Sequence, residues 1–321
     1  MARSPLYEAD YRPLFSGHET FPLRYGWLKK AFDSVGAAGE EANSKAIFRD
    51  DAAIARFGVG KNMVRSIRHW ASCCGVLDED PRTGQIAPTD FGKFLFGHHP
   101  FDQYLEKPAS LWLIHWILCT TVSTRPAKTT WYWTFNHYTR SSFSRDELTD
   151  QLMKIANAQD WKRVSRTTVR RDVECFVRTY EAKTGGDIGT IESNLESPLA
   201  ELGLVRSSDR QHYLVRGSKP SLPNSVFAFA LNQFWRQHAT AATLSYEKIA
   251  HEPGSPGRVF LLDEPDLAER LLALEDITQG ALRWSETAGL QQVYRTNLVD
   301  DKSALALVRE ESHAPSGKVA T

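Results

Sequence analysis

The sequence predicts a mainly α-helical protein with small β-hairpins, arranged as tandem winged helix-turn-helix units. Three observations lead there. Several segments repeat apolar residues at helical spacing. Residues 50–96 run in the order helix, glycine turn, helix, hairpin. Residues 144–217 repeat a version of that order.

The first helix is expected over Leu23–Val35, where Leu28, Ala31, Phe32 and Val35 form an apolar stripe. Pro22 suits a first helical position because its missing N–H needs no partner there. Residues 36–42 read as a loop. Asp50–Phe57 follows as a short helix, Gly58–Gly60 as a tight turn, and Lys61–Cys74 as a longer helix ended by Gly75. Val76–Leu77 and Gln85–Ala87 can pair across the turn-rich tip Asp78–Gly84. Thr89 then caps a helix over Asp90–Phe96. Leu111–Cys119 is apolar but far shorter than the roughly 20 residues a bilayer requires, so it reads as a buried helix after Pro108.

The aromatic run Trp131–Phe143 reads as core, although aromatic side chains also stack unpaired bases. Ser144 or Arg145 starts a helix through Ala156, and Ser165 caps another over Arg166–Tyr180. Lys183–Thr190 is a glycine-rich insertion. Pro198–Leu202 and a hairpin turning at Ser207–Arg210 complete the second unit. Helices at Asn224–His238, Ser245–His251 and Asp266–Leu274, with a hairpin at Leu282–Trp284 and Gln292–Tyr294, make a third. The expected organisation is therefore 1–120, 121–220 and 221–299, with a frayed tail at 300–321.

Composition limits the function classes. The 321 residues hold 39 Lys+Arg and 39 Asp+Glu, with 41% hydrophobic residues, which excludes global disorder. Four cysteines without a CxxC exclude a disulfide scaffold and a standard zinc finger, and fit a reducing cytoplasmic setting. The N-terminus lacks a signal-peptide core, so no membrane association is expected. Zero net charge conceals an asymmetry. Arg125–Arg178 holds 11 basic against 6 acidic residues, whereas His251 to the C-terminus holds 7 against 12. A phosphate backbone responds to the local balance.

Two basic helix faces stand out. On Lys61–Cys74, residues Val64, Ile67, Ala71 and Cys74 form one stripe, and Lys61, Arg65 and Arg68 another, with Asn62 beside it. Such a face can reach phosphates and base edges of double-stranded DNA. On Arg166–Tyr180, the apolar stripe is Val169, Val173, Phe176 and Tyr180. Arg166, Thr167, Arg170 and Arg171 lie toward the polar side, and Glu174 can neutralise part of it.

Chemistry has a weaker signature. FSGHETF (15–21) places His18 and Glu19 before a segment carrying Arg24. Imidazole, carboxylate and guanidinium are the groups that move protons and stabilise charge at a phosphodiester. Ser16 and Glu19 also match a helix capping box. Asp102 and Glu106, at i and i+4, can share a divalent metal such as Mg²⁺ or Mn²⁺, or simply face solvent. Gly58–Asn62 lacks the spacing of a phosphate-binding loop, so no nucleotide cofactor is expected.

FSGHETFPLRYGWLKK (15–30) resembles the opening signature of a bacterial family of unknown-function domains linked to DNA phosphorothioation, a family that includes the SspB proteins of Ssp defence systems. FGVGKNMVRSIRHW, FDQYLEKPASLWLIHW, TTWYWTFNHY and SPLAELGLV are also similar to it, so the resemblance runs from about Phe15 to Asn297. It implies a sequence-selective DNA-binding protein that nicks one strand. The nick would help a cysteine desulfurase, an ATPase and an ATP-pyrophosphatase-like partner place sulfur in the backbone. His18, Glu19 and Arg24 match the signature, and Lys61, Asn62, Arg65 and Arg68 the helix-turn-helix segment. Two other readings remain open: a non-enzymatic regulator or recruiting platform on DNA, and a protein-interaction module. A homodimer would suit a palindromic site.

Overall fold

A computed structural model describes residues 4–39, 43–49, 51–120, 128–181, 197–209, 211–238, 240–287, 289–297 and 299–313. The chain divides into two compact units, residues 1–216 and 217–321. The expected boundary after residue 120 falls inside the first unit, because helices from both sides of it share one aromatic core.

In that first unit, α1 (Trp27–Ala38) packs on α4 (Lys61–Cys73), with α2 (Ser44–Phe48) and α3 (Ala52–Phe57) between them in sequence. Leu28, Ala31 and Val35 of α1 and Val64, Ile67, Trp70 and Ala71 of α4 are all buried. Helix α1 starts at Trp27, not Leu23. Gly26 occupies the left-handed region (φ 76°) and breaks the chain direction there, so Pro22 is not a helical position. Helix α2 was not foreseen; Asn43 caps it by accepting the Lys45 N–H at 2.9 Å.

Strands β1 (Leu77–Glu79) and β2 (Ile86–Pro88) form the expected hairpin, in antiparallel register from Leu77↔Pro88 to Glu79↔Ile86. Thr89 caps α5 (Asp90–Phe96) through the Gly92 N–H at 2.9 Å. Helix α6 (Pro108–Cys119) is buried along its length, as its composition predicts. Helix α7 (Thr129–Asn136) carries the aromatic run into the core. Trp131 meets Trp70 edge-on at 5.7 Å and Phe176 at 5.2 Å, which joins the two halves of the unit. The short β3 (Ser142–Phe143) precedes α8 (Arg145–Ala158), capped by Ser144, and α9 (Arg166–Tyr180), capped by Ser165. Strands β4 (Val205–Ser208) and β5 (Gln211–Leu214) complete a sheet of order β3-β5-β4. The glycine-rich insertion at Lys183–Thr190 lies outside the described residues.

In the second unit, α10 (Asn224–His238) is followed by β6 (Thr243–Ser245), α11 (Tyr246–His251), α12 (Pro256–Val259), α13 (Glu264–Leu272) and α14 (Leu274–Ile277). The hairpin of β7 (Leu282–Thr287) and β8 (Leu290–Arg295) pairs with β6 in the order β6-β8-β7. Arg270 is buried beside Asp266 and donates to the carbonyls of Lys219 and Leu222, both at 2.8 Å. The expected frayed tail is instead helix α15 (Asp301–His313) as far as residue 313. Ala304, Leu305 and Val308 give it a buried stripe that packs on α10. The protein is thus mainly helical, with small antiparallel sheets of two or three strands. Among the described residues no helix is long and apolar enough to cross a membrane.

Candidate nucleic-acid interface

The site is built on the FSGHETF segment, which forms a strained loop. Gly17, Glu19 and Thr20 have φ of 102°, 47° and 67°. Non-glycine residues in that region are costly and persist only where surroundings hold them. Here two helices do so. From α4, Ser66 Oγ donates to the His18 carbonyl and Trp70 Nε1 to the Phe21 carbonyl, both at 3.0 Å. From α9, Arg178 donates to the Thr20 carbonyl at 3.1 Å and Cys175 Sγ to the Phe21 carbonyl at 3.4 Å.

The loop is also anchored from inside. His18 is 3% exposed, and its Nδ1 accepts the Thr20 N–H at 3.0 Å. Its Nε2 lies 3.0 Å from Asp172 Oδ1 without the alignment of a full hydrogen bond. Asp172 is fully buried on α9. It accepts from Lys128 Nζ at 2.6 Å and from Thr130 Oγ1 at 2.5 Å. Burial pushes the Asp172 carboxyl up, but the Lys128 ammonium and then His18 outweigh it and hold it down to about 2. A buried carboxylate and ammonium that satisfy each other thus lie beneath the loop.

On its outer side the loop borders a cavity of about 710 Å³. Gly17 and Glu19 line one wall, and Lys61, Arg65, Arg68, His69 and Cys73 of α4 another. Arg65 lies 3.9 Å from Glu19. Arg68 makes a paired contact with Glu79 of β1, with Nε to Oε2 at 2.9 Å. An adjoining cavity of about 590 Å³ shares Arg49, Arg68, Ser72, Cys73 and Glu79, and extends to Arg82 at the hairpin tip.

The sequence candidates therefore separate. Glu19, Lys61, Arg65 and Arg68 converge on one groove. Asn62 is exposed at the start of α4 but does not line it. His18 turns inward. Arg24 is buried, its guanidinium over the Phe21 and Trp27 rings at 5.5 and 5.4 Å. On α9, Arg166, Thr167, Arg170 and Arg171 are exposed but lie outside the groove. Arg166 pairs with Asp150, and Arg170 with Glu174 at 3.4 Å.

His69 was missed from the sequence, although it continues the i, i+4 series Lys61–Arg65. The Lys128–Asp172 pair had no sequence signal, since 44 residues separate its members.

Asp102 is turned to the backbone and is not solvent-facing. Its two carboxylate oxygens accept the Glu106 and Lys107 N–H groups at 3.0 and 2.8 Å, so it caps a turn.

The family described as "Protein of unknown function (DUF4007)" matches residues 15–310. The chain belongs to the DUF4007 family. Two solved structures are similar over nearly its full length. A magnesium ion-bound SspB crystal structure is 29% identical, with a TM-score of 0.83, covering 96% of this chain and 90% of that one. An SspB crystal structure is 30% identical, with a TM-score of 0.81 and the same coverage. No curated protein matches this chain. This DUF4007 protein is SspB-like.

The magnesium in that relative invites a test of the residues here. Among the described residues no group of three His, Cys, Asp or Glu side chains is placed to hold a metal ion. Glu79 already has both oxygens on Arg68. The residues present do not fit a metal centre built from protein ligands alone. Mg²⁺ characteristically keeps several waters and binds through one or two carboxylates plus substrate phosphates.

Proposed function

We propose that this DUF4007 protein binds DNA through the α4 groove and nicks one strand, in support of phosphorothioate modification by a bacterial Ssp system. One observation carries the reading. Glu19, on a loop held in a strained shape, lines one cavity with the cations Arg49, Lys61, Arg65 and Arg68 and the carboxylates Asp51 and Glu79. Cations hold and neutralise a phosphate, and a carboxylate beside them can orient a water or share a phosphate-bound metal ion. Helices α3 and α4 with the β1–β2 hairpin serve as a winged helix-turn-helix, and α8, α9 and the β3-β5-β4 sheet as a second one. Sequence selectivity, a homodimer on a palindromic site, a cytoplasmic setting and cooperation with the sulfur-transfer partners belong to the same reading. Selectivity and the partners are supported by the likeness to SspB, the cytoplasmic setting by cysteines that form no disulfide among the described residues, and the homodimer by the two-fold symmetry of a palindromic site.

A second reading is a non-enzymatic recruiting platform. It is favoured by the lack of a three-residue acidic or histidine cluster among the described residues.

Supercoiled-plasmid relaxation separates the two, run with Mg²⁺, Mn²⁺ or EDTA and paired with DNA binding on the same samples. The nicking reading expects relaxation that Glu19→Ala removes while binding persists. Binding without relaxation under any of these conditions leaves the platform.

A further inference from the structure

The groove contains an imidazole that the sequence candidates do not include. His69 sits one turn beyond Arg65 and two beyond Lys61 on the same α4 face, and it lines the cavity with Glu19 and both arginines. Its ring is fixed on several sides. Gly17 lies so close that a Cβ there would be 2.4 Å from Nδ1. The Trp70 ring meets it edge-on at 5.6 Å and the His18 ring at 6.0 Å. Cys73 Sγ lies 3.6 Å from Nε2. The signature histidine, His18, is by contrast sealed beneath the loop, with Nδ1 on Thr20 and Nε2 against Asp172.

We propose that His69, and not His18, takes the proton of the attacking water when the groove nicks a strand. This rests on the nicking reading above. In the step, the water oxygen forms a bond to phosphorus, and one phosphorus–oxygen ester bond to a deoxyribose breaks. The bonding pair leaves with that sugar oxygen, which takes a proton from solvent. The water's proton passes to an imidazole nitrogen of His69 and then to solvent. Lys61 and Arg65 supply positive charge to the phosphate oxygens, while Arg68 is held on Glu79.

The charged and titratable groups around His69 are Lys128, His18, Asp172, Arg68 and Cys73, with Glu19 and Arg65 on the same cavity. Burial lowers the His69 pKa well below 6.5. Lys128, His18 and Arg68 add to that, and Asp172 opposes it. The ring is therefore neutral at neutral pH and able to accept a proton.

The experiment uses the full-length protein on supercoiled plasmid from pH 5 to 8, with binding measured on the same samples. His69→Gln is expected to nick at least roughly a hundredfold more slowly with binding nearly unchanged. Added imidazole is expected to restore part of the rate to His69→Ala. Wild-type nicking is expected to hold steady from pH 8 to below 6.5. A His69→Gln protein that nicks as fast as wild type would overturn the assignment while leaving the nicking reading intact. Wild type that binds but never nicks overturns both. If His69→Gln fails to bind DNA, His69→Ala decides, and a rate on bound DNA that imidazole does not raise rejects the assignment.

Discussion

Helices α4 and α9 look alike as sequences and serve the site in opposite ways. Each has an apolar stripe and a face rich in arginine. Helix α4 turns its polar face to the groove, where Lys61, Arg65 and His69 line one wall. The cations at the start of α9 are exposed and outside the groove, where Arg166 and Arg170 pair with Asp150 and Glu174, whereas Arg65 and Arg68 of α4 meet Glu19 and Glu79 along the groove itself. What α9 gives the site comes from other positions. Asp172 and Cys175 from its buried face, and Arg178 near its end, hold the FSGHETF loop in place. A basic face is therefore not yet a field. Neighbouring carboxylates and local shape decide what a phosphate would meet.

The comparison breaks most visibly at Asp172. Asp172→Ala leaves Lys128 charged and buried without its carboxylate, and such losses cost about 3–5 kcal/mol. Urea denaturation is expected to show that loss. DNA binding at α4 is expected to fall with it, because the loop loses its anchor. An unchanged midpoint would mean that α9 does not hold the loop through Asp172.

Acid titration probes the same carboxylate. Its folded pKa lies near 2, below the usual value of 3.8, so its stabilisation is complete above pH 4 and disappears as pH falls toward 2. The expected loss is on the order of 2 kcal/mol. Asp172→Asn is expected to flatten that part of the stability curve.

Gly17→Ala tests the contact between loop and helix. It requires a side chain at φ 102° and places a Cβ against the His69 ring. A loss of about 1–2 kcal/mol is expected from the backbone conformation, with nicking reduced further because His69 must move.

A matched pair of arginines then sharpens the contrast. Arg65→Ala is expected to weaken DNA binding roughly tenfold and to lower the salt slope by about one. Arg170→Ala should change either quantity far less. Equal effects would show that α9 contacts DNA as strongly as α4 does. The smallest effect is expected for Arg166→Ala. Its ion pairs are on the surface, so the melting midpoint should not move measurably.

Much of this was legible locally. The Thr89 and Ser165 caps, a helix start at Ser144 or Arg145, and the β1–β2 hairpin followed from residue types at short spacing. The two-stripe pattern of α4 correctly located its buried side. The misses came from contacts distant in sequence. Trp27 rather than Leu23 starts α1 because the preceding turn, ending in left-handed Gly26, is shaped by the loop it leaves. The tail helix α15 forms because α10 offers its apolar stripe a partner.

The sequence by itself determined the helical periods, the caps, the basic face of α4 and membership in a family with the FSGHETF signature. These are properties of neighbouring residues, and a period or a cap needs no distant partner. Only the tertiary structure decided which charges meet. Lys128 and Asp172 come together from 44 residues apart. The same folding turns His18 inward, places Arg24 over two aromatic rings, and leaves His69 lining the groove. Burial and proximity give each of these side chains its chemistry, and neither exists until the chain has folded.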